Sequence, residues 1–232
     1  MRYLIIISLI SFLPYTSLSQ GCCAGGASSP LAGGAASGVL QQNQIELSLS
    51  YQLNQSNTFF SGDTEVEPLF KNLSSNYIFL RTDYGLTKKL TISLATGFYL
   101  DKSLTQPDDK IKSSKGLADF IIFPRYSVYN NKNNFKRTEI TLGLGIKIPL
   151  GTHEDSTLVY SDDFVGDIYS LNPPSVQVSS GSNDFMFYSF FLREYQKKKL
   201  RIFMTTLYVN KGFNSLGVKF GNYSSIGFFV SK

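Results

Sequence analysis

From Gln44 to Asn54 the chain reads QIELSLSYQLN, with Ile45, Leu47, Leu49, Tyr51 and Leu53 at every second position and Glu46, Ser48, Ser50, Gln52 and Asn54 between them. Successive side chains of a strand point to opposite faces, so a period of two predicts an amphipathic β-strand. Glu139 to Leu150 repeats the pattern, setting Ile140, Leu142, Leu144, Ile146 and Ile148 against Glu139, Thr141, Gly143, Gly145 and Lys147. Leu90 to Leu100 sets Leu90, Ile92, Leu94, Thr96 and Phe98 against Thr91, Ser93, Ala95, Gly97 and Tyr99. Asn76 to Thr87 carries Ile78, Leu80 and Tyr84 on one face, with Arg81 and Asp83 on the other. Leu117 to Tyr129 places Phe120, Ile122, Tyr126 and Val128 opposite Asp119, Arg125 and Ser127. Asp184 to Tyr195 places Met186, Tyr188, Phe190 and Leu192 opposite Ser189 and Arg193. With Leu200–Asn210 and Gly221–Ser231 there are eight predicted strands. Each runs for about ten residues, the length a tilted membrane strand needs.

The connections follow a rhythm. GLTKKLT, NNKNNF and YQKKKL are short, whereas 54–75, 101–116 and 151–183 are long, and the two kinds alternate. Outer-membrane barrels alternate short periplasmic turns with longer external loops, which would put the N-terminus on the periplasmic side. The short turns are basic (Lys88, Lys89, Lys132, Lys136, Arg137, Lys197, Lys198, Lys199) and the long loops hold most of the acids, including Asp63, Glu65, Glu67, Asp162, Asp163 and Asp167. Ordinary solvated loop charge accounts for both sets without a ligand. The expected fold is therefore all-β, an antiparallel transmembrane β-barrel of the outer-membrane type with eight strands visible. A soluble β-sandwich would also alternate. Its outer face meets water and favours Lys, Thr and Glu, whereas the polar face here is small and mixed, with isolated charges, as a barrel interior is.

Composition narrows the compartment. Apolar residues make up 42% and charged residues 17% of the 232 residues, against about 25% charged in a typical soluble domain. The net charge of +5 is spread over short clusters with no basic helix or tail, so nothing points to nucleic acid. Residues 1–19 read as a secretory signal peptide: Arg2, then the apolar YLIIISLISFL, then Pro14 and a Ser17-Leu18-Ser19 cleavage site. A buried N-terminal core element is the alternative. The expected organisation is a signal peptide at 1–19, a Gly/Cys-rich periplasmic leader or plug at 20–43, and a barrel at 44–232. The expected location is the outer membrane of a Gram-negative cell, in contact with outer-membrane lipid.

The inward positions supply the candidate site: Glu46, Arg81, Asp83, Asp119, Arg125, Glu139, Lys147 and Arg193, with Arg201 beside them. Charges of both signs on neighbouring strands can fill a narrow barrel as an ion-paired network or form a constriction that sets selectivity. Tyr77, Phe79, Tyr99, Phe185, Phe187 and Phe191 are read as inward aromatics, suited to an apolar solute or to packing the interior. No nucleophile elbow, zinc signature, phosphate loop or cofactor motif is present in the sequence. His153, the single histidine, stands in GTHEDS with Glu154 and Asp155. A cation site or a membrane hydrolase built on it is the enzymatic alternative, and a solvated loop histidine the ordinary one. Two readings of function stand: a channel or transporter for small, hydrophobic or aromatic solutes, and a filled barrel acting as an anchor or interaction surface through its acidic loops. Nothing in the sequence sets an oligomeric state.

Several motifs then carry a resemblance. Tyr84-Gly85-Leu86-Thr87 before Leu90-Thr91, Gly116-Leu117-Ala118-Asp119, Gly145-Ile146-Lys147-Ile148-Pro149-Leu150-Gly151 and Ser180-Gly181-Ser182-Asn183-Asp184 occur in this order. In order and spacing the chain resembles the outer-membrane transporter proteins grouped under the meta-pathway of phenol degradation, in their Bacteroidetes form. Ala118 stands where a second glycine is usual. The resemblance implies an outer-membrane barrel with a role in uptake of hydrophobic or aromatic compounds, and no agreed functional residues. The family continues for further strands and ends on an aromatic residue, whereas this sequence ends at Phe228-Phe229-Val230-Ser231-Lys232. The expectation is therefore a truncated member of a larger barrel or a small barrel closing at strand eight.

Both cysteines, Cys22 and Cys23, lie in GCCAGGASSPLAGG. Lipidation of Cys22 needs an apolar residue three positions earlier, where Ser19 stands. A Cys22–Cys23 disulfide would join adjacent residues whose α-carbons lie closer than the bond prefers. Two thiolates could hold Cu(I), but no further soft ligand is near in sequence. The surrounding Gly, Ala and Ser favour a flexible segment or a plug entering the barrel.

Overall fold

The computed structural model describes residues 38–164 and 166–232. Its elements in chain order are β1 (Ile45–Ser56), the small hairpin β2 (Phe59–Ser61) and β3 (Thr64–Val66), β4 (Asn72–Gly85), β5 (Leu90–Thr105), β6 (Ile111–Leu117), β7 (Phe120–Asn133), β8 (Lys136–Ile148), the hairpin β9 (Ser156–Asp162) and β10 (Gly166–Leu171), β11 (Asp184–Tyr195), β12 (Leu200–Asn210) and β13 (Tyr223–Ser231). The protein is all-β. Eight strands form an antiparallel meander in the order β1-β4-β5-β7-β8-β11-β12-β13, with β6 paired to the upper part of β5. The sheet curls into a half-barrel. Among the described residues β1 and β13 do not pair with each other, so the sheet has two open edges rather than the closure at eight strands that the pattern allows.

The eight principal strands lie where the alternation places them. The long connections differ from the expectation of plain loops: they carry β2–β3, β9–β10 and β6. Gly62 and Gly166 take left-handed φ values of 68° and 81° at the two small hairpins, a conformation glycine adopts without the Cβ clash. At the other end of the sheet, NNKNNF is mostly strand. Asn134 and Phe135, at φ 47° and 61°, make a two-residue hairpin turn of the kind that matches strand twist.

Strand parity sorts the side chains by face. On the outside Leu49 and Leu144 are 70% and 63% exposed, and Leu47, Leu94, Leu142, Phe187 and Phe228 are likewise exposed. On the inside Arg81, Asp83, Arg125, Glu139 and Lys147 are buried beside Tyr77, Phe79, Phe123, Tyr188 and Phe190. Apolar residues thus cover the outer face while buried charges share the inner face with an aromatic core, a departure from the apolar-in, charged-out arrangement of a water-soluble domain.

One strand faces opposite to expectation. On β11 Met186, Tyr188, Phe190 and Leu192 point inward and Phe185, Phe187, Phe191 and Arg193 point outward. Register explains it. Met186 pairs with Gly145, Tyr188 with Gly143, Phe190 with Thr141 and Leu192 with Glu139, all inward positions of β8. Two glycines leave room there, and Phe123 of β7 fills it together with Met186 and Tyr188 of β11.

The fit is close. A Cβ on Gly145 would collide with the Phe123 ring, so that position is reserved for glycine by packing rather than by backbone angle. Replacing Gly145 with Val is expected to destabilise the fold by about 1–3 kcal/mol, the usual cost of overpacking. Gly221→Val meets open space and is expected to stay within about 0.5 kcal/mol of the parent, and urea unfolding of the two variants checks both values.

Candidate functional site

The concave face holds two charged layers. The lower one is nearer the short turns. Residues i and i+2 of a strand share a face, so Arg81 and Asp83 of β4 both point inward, and Arg81 Nε lies 2.9 Å from Asp83 Oδ2. Arg125 of β7 reaches over β5 to the same carboxylate, at 3.1 Å, and donates to Ser93 Oγ at 3.3 Å. Glu46 of β1 lies 3.5 Å from Arg81 Nη2. Next to this group, Glu139 of β8 receives Arg137 Nη2 at 2.6 Å and Thr141 Oγ1 at 3.2 Å. Three cations thus balance three carboxylates, with Asp83 1% exposed and Arg81 2%.

The upper layer sits below the long loops. Lys147 Nζ is 2.5 Å from Asp119 Oδ2 and 3.0 Å from Asp184 Oδ2, and it donates to Ser180 Oγ. Ser179 donates to the other oxygen of Asp119, and Ser182 Oγ to Asp184 Oδ1 at 2.8 Å. These serines belong to the segment 172–183, which folds inward. Lys102 donates to Gln177 O at 2.7 Å, Asn172 Nδ2 to Ser113 O and Ser114 Oγ of β6, and Gln177 Nε2 to the carbonyls of Asp155 and Asn172. Val176 is fully buried against Leu73 and Leu104. Below this segment lies a cavity of 110 Å³ whose lining includes Tyr77, Tyr99, Met186, Leu207 and Tyr223 on the apolar side, with Asp119 and Lys147 on the polar side.

At the opposite end the first described residues enter the concave face. Gly38 abuts Glu139, Thr141 and Phe190 so closely that a Cβ would overlap all three. Leu40 is buried and its N–H donates to Thr91 Oγ1 at 2.8 Å, and Asn43 N donates to Gly85 O at 2.7 Å. The signal peptide, Cys22 and Cys23 lie outside the described residues.

Seven of the eight sequence-derived charged candidates, Glu46, Arg81, Asp83, Asp119, Arg125, Glu139 and Lys147, come together on the concave face in these two layers. Arg193 does not. The β8 register turns it outward, where it donates to Thr138. Among the aromatics Tyr77, Phe79 and Tyr99 are inside, while Phe185, Phe187 and Phe191 are outside and their place is taken by Tyr188 and Phe190. Arg201 is inward, 3.9 Å from Glu194. The inward segment 172–183 escaped the sequence reading. Its signal is Pro173-Pro174 followed by Val176 and Val178, apolar residues in a stretch where a solvated loop would be polar.

His153 Nε2 is 2.7 Å from Ser215 Oγ, and Ser215 donates to Glu154 Oε1 at 2.8 Å. Glu154 also approaches Nε2, at 3.5 Å. A catalytic relay needs the carboxylate on the far ring nitrogen, so this cluster is a loop clasp rather than a triad. Among the described residues no group of three metal-ligating side chains converges.

The class of protein that this geometry defines is an antiparallel half-barrel with a charged and aromatic interior and an apolar exterior. Compared with known proteins, the chain matches no protein-family model and no curated protein.

Asp83 is the common partner of two buried arginines. Asp83→Asn is expected to cost about 3–5 kcal/mol, because it strands buried cations. Glu46→Gln, at the half-exposed margin, should cost under about 1 kcal/mol. Urea unfolding of the two variants under the same conditions compares them.

Proposed function

We propose that this chain is an outer-membrane β-barrel of the channel or transporter class, which admits small solutes with an apolar or aromatic portion at its long-loop end. The observation that carries the reading is the exposed apolar outer face of the sheet, set against the charges buried inside it. An apolar belt made of the outward residues of eight strands is far more than a soluble monomer exposes, and lipid is the solvent it suits. The signal-like N-terminus, the alternation of short and long connections, and the resemblance to the meta-pathway transporter proteins support the same location. In this reading the basic short turns face the periplasm and the acidic hairpins face outward.

The cavity supports the solute class. Tyr77, Tyr99, Met186, Leu207 and Tyr223 provide an apolar wall, and the Lys147 group provides a polar one. Such a lining suits a small amphipathic molecule better than a bare ion. Segment 172–183 covers the cavity, so in this reading it is the part a solute has to displace to enter. Its contacts with Lys147 and Lys102 are what that displacement would break.

A second reading rests on a specific observation. The lower layer is filled, with Arg81, Asp83, Phe79 and Phe123 at 1–2% exposure. A barrel filled there would serve as an anchor for its acidic loops. Planar-bilayer recording separates the two. The transporter reading expects discrete conductance from the full chain, rising when 173–180 is replaced by a short Gly-Ser link, and uptake of a small aromatic solute into liposomes that contain the protein. Silence in both recordings together with no uptake would favour the filled barrel.

A further inference from the structure

The outward face near the short turns carries a feature that neither charged layer uses. Register aligns three rows there across β7, β8 and β11. Tyr129, Ile140 and Phe191 form the row nearest the middle of the sheet, Asn131, Thr138 and Arg193 the next, and Asn133, Lys136 and Tyr195 the row at the rim. The irregularity between Ser127 and Tyr129 creates the alignment: Ser127 is inward, and one extra residue brings Tyr129 and Asn131 to the outside.

A cavity of 240 Å³ opens among these rows, its lining including Arg193, Lys136, Thr138, Tyr129 and Asn131, with no carboxylate. The Arg193 guanidinium lies 5.5 Å and the Lys136 ammonium 6.0 Å from the centroid of the same Tyr195 ring. Among the described residues no ion pair includes either of them. The nearest acids in sequence, Glu139 and Glu194, take part in inward ion pairs. Two like charges gathered over one aromatic ring, next to amide and hydroxyl groups, make an anion site whose counter-charge must come from outside the chain.

We propose that this cavity binds the phosphate of a glycerophospholipid headgroup, an inference that rests on the outward face lying in lipid. The guanidinium fork matches two phosphate oxygens, Lys136 adds a point charge, and Asn131 donates from its amide. The apolar row of Tyr129, Ile140 and Phe191 continues from the cavity toward the middle of the sheet, where acyl chains would run. This continuity favours a lipid phosphate over a free one. A tyrosine-rich, basic rim is also the chemistry that membrane proteins place at headgroup level.

The test uses the full chain folded in detergent, first mixed with phosphatidylcholine liposomes to check insertion by flotation, then titrated with phosphatidylglycerol and followed by native mass spectrometry. The parent should retain one phosphatidylglycerol molecule that inorganic phosphate at millimolar concentration does not displace. Arg193→Gln with Lys136→Gln should weaken retention about tenfold or more, and Arg193→Lys, which keeps the charge but not the fork, should weaken it less. Lys198→Gln with Lys199→Gln, basic residues of the same end outside the cavity, should leave it unchanged. Equal retention by the Arg193/Lys136 double variant, by Lys136→Gln alone should the double variant not fold, or displacement by inorganic phosphate, overturns the proposal. Failure of the parent to insert overturns the membrane reading itself, whereas insertion with unchanged lipid retention overturns the headgroup site alone.

Discussion

Asp83 holds the interior together. Its carboxylate stands between Arg81 on its own strand and Arg125 two strands away, and all three are almost without solvent contact. Charges taken out of water persist only when paired, so this group fixes which way β4 and β7 face. Once those strands are set, pairing transmits the choice. β5 lies between β4 and β7, and β8 pairs with β7 so that Thr141 lies opposite Ser127. A slip of one residue anywhere in this chain of pairings would turn the arginines outward and the leucines in. The outward apolar belt is thus a consequence of the buried ion pairs as much as of the leucines themselves.

How far the sequence could be read follows from the same logic. Where one face is charged or small and the other apolar, as in β1, β4, β5, β7 and β8, period two alone identified strand and face. β11 has large apolar residues on both faces, with Phe185, Phe187 and Phe191 on one and Met186, Tyr188, Phe190 and Leu192 on the other. Local pattern carries no face information in such a strand, and a single arginine was weak guidance. Only the space above Gly143 and Gly145 decides it, and that is a property of the neighbouring strand. The hairpins β2–β3 and β9–β10 were missed because strands of three to seven residues hold too few alternations to stand out. The inward segment 172–183 was missed because its anchors, Lys102, Lys147, Ser113 and Ser114, are distant in sequence.

The two ends of the half-barrel are built differently. The long-loop end is layered with polar contacts made largely through side-chain hydroxyls and amides, which exchange readily with water. The short-turn end is packed more tightly, with Gly38 and Leu40 pressed into the concave face and turns that use minimal chain. Open edges at β1 and β13 bound the described sheet. Tyr223 of β13, at one of these edges, also lines the cavity.

The central claim is that the outward leucines face lipid. The chain contains no tryptophan, so one introduced indole reports its own surroundings without background. Leu144→Trp, on the outward face of β8, and Phe164→Trp, at the tip of the β9–β10 hairpin and 99% exposed, can be compared in liposomes containing brominated phospholipid. The account predicts strong quenching and blue-shifted emission for Leu144→Trp, and neither for Phe164→Trp. Emission from Leu144→Trp that aqueous iodide quenches and brominated lipid does not would contradict it.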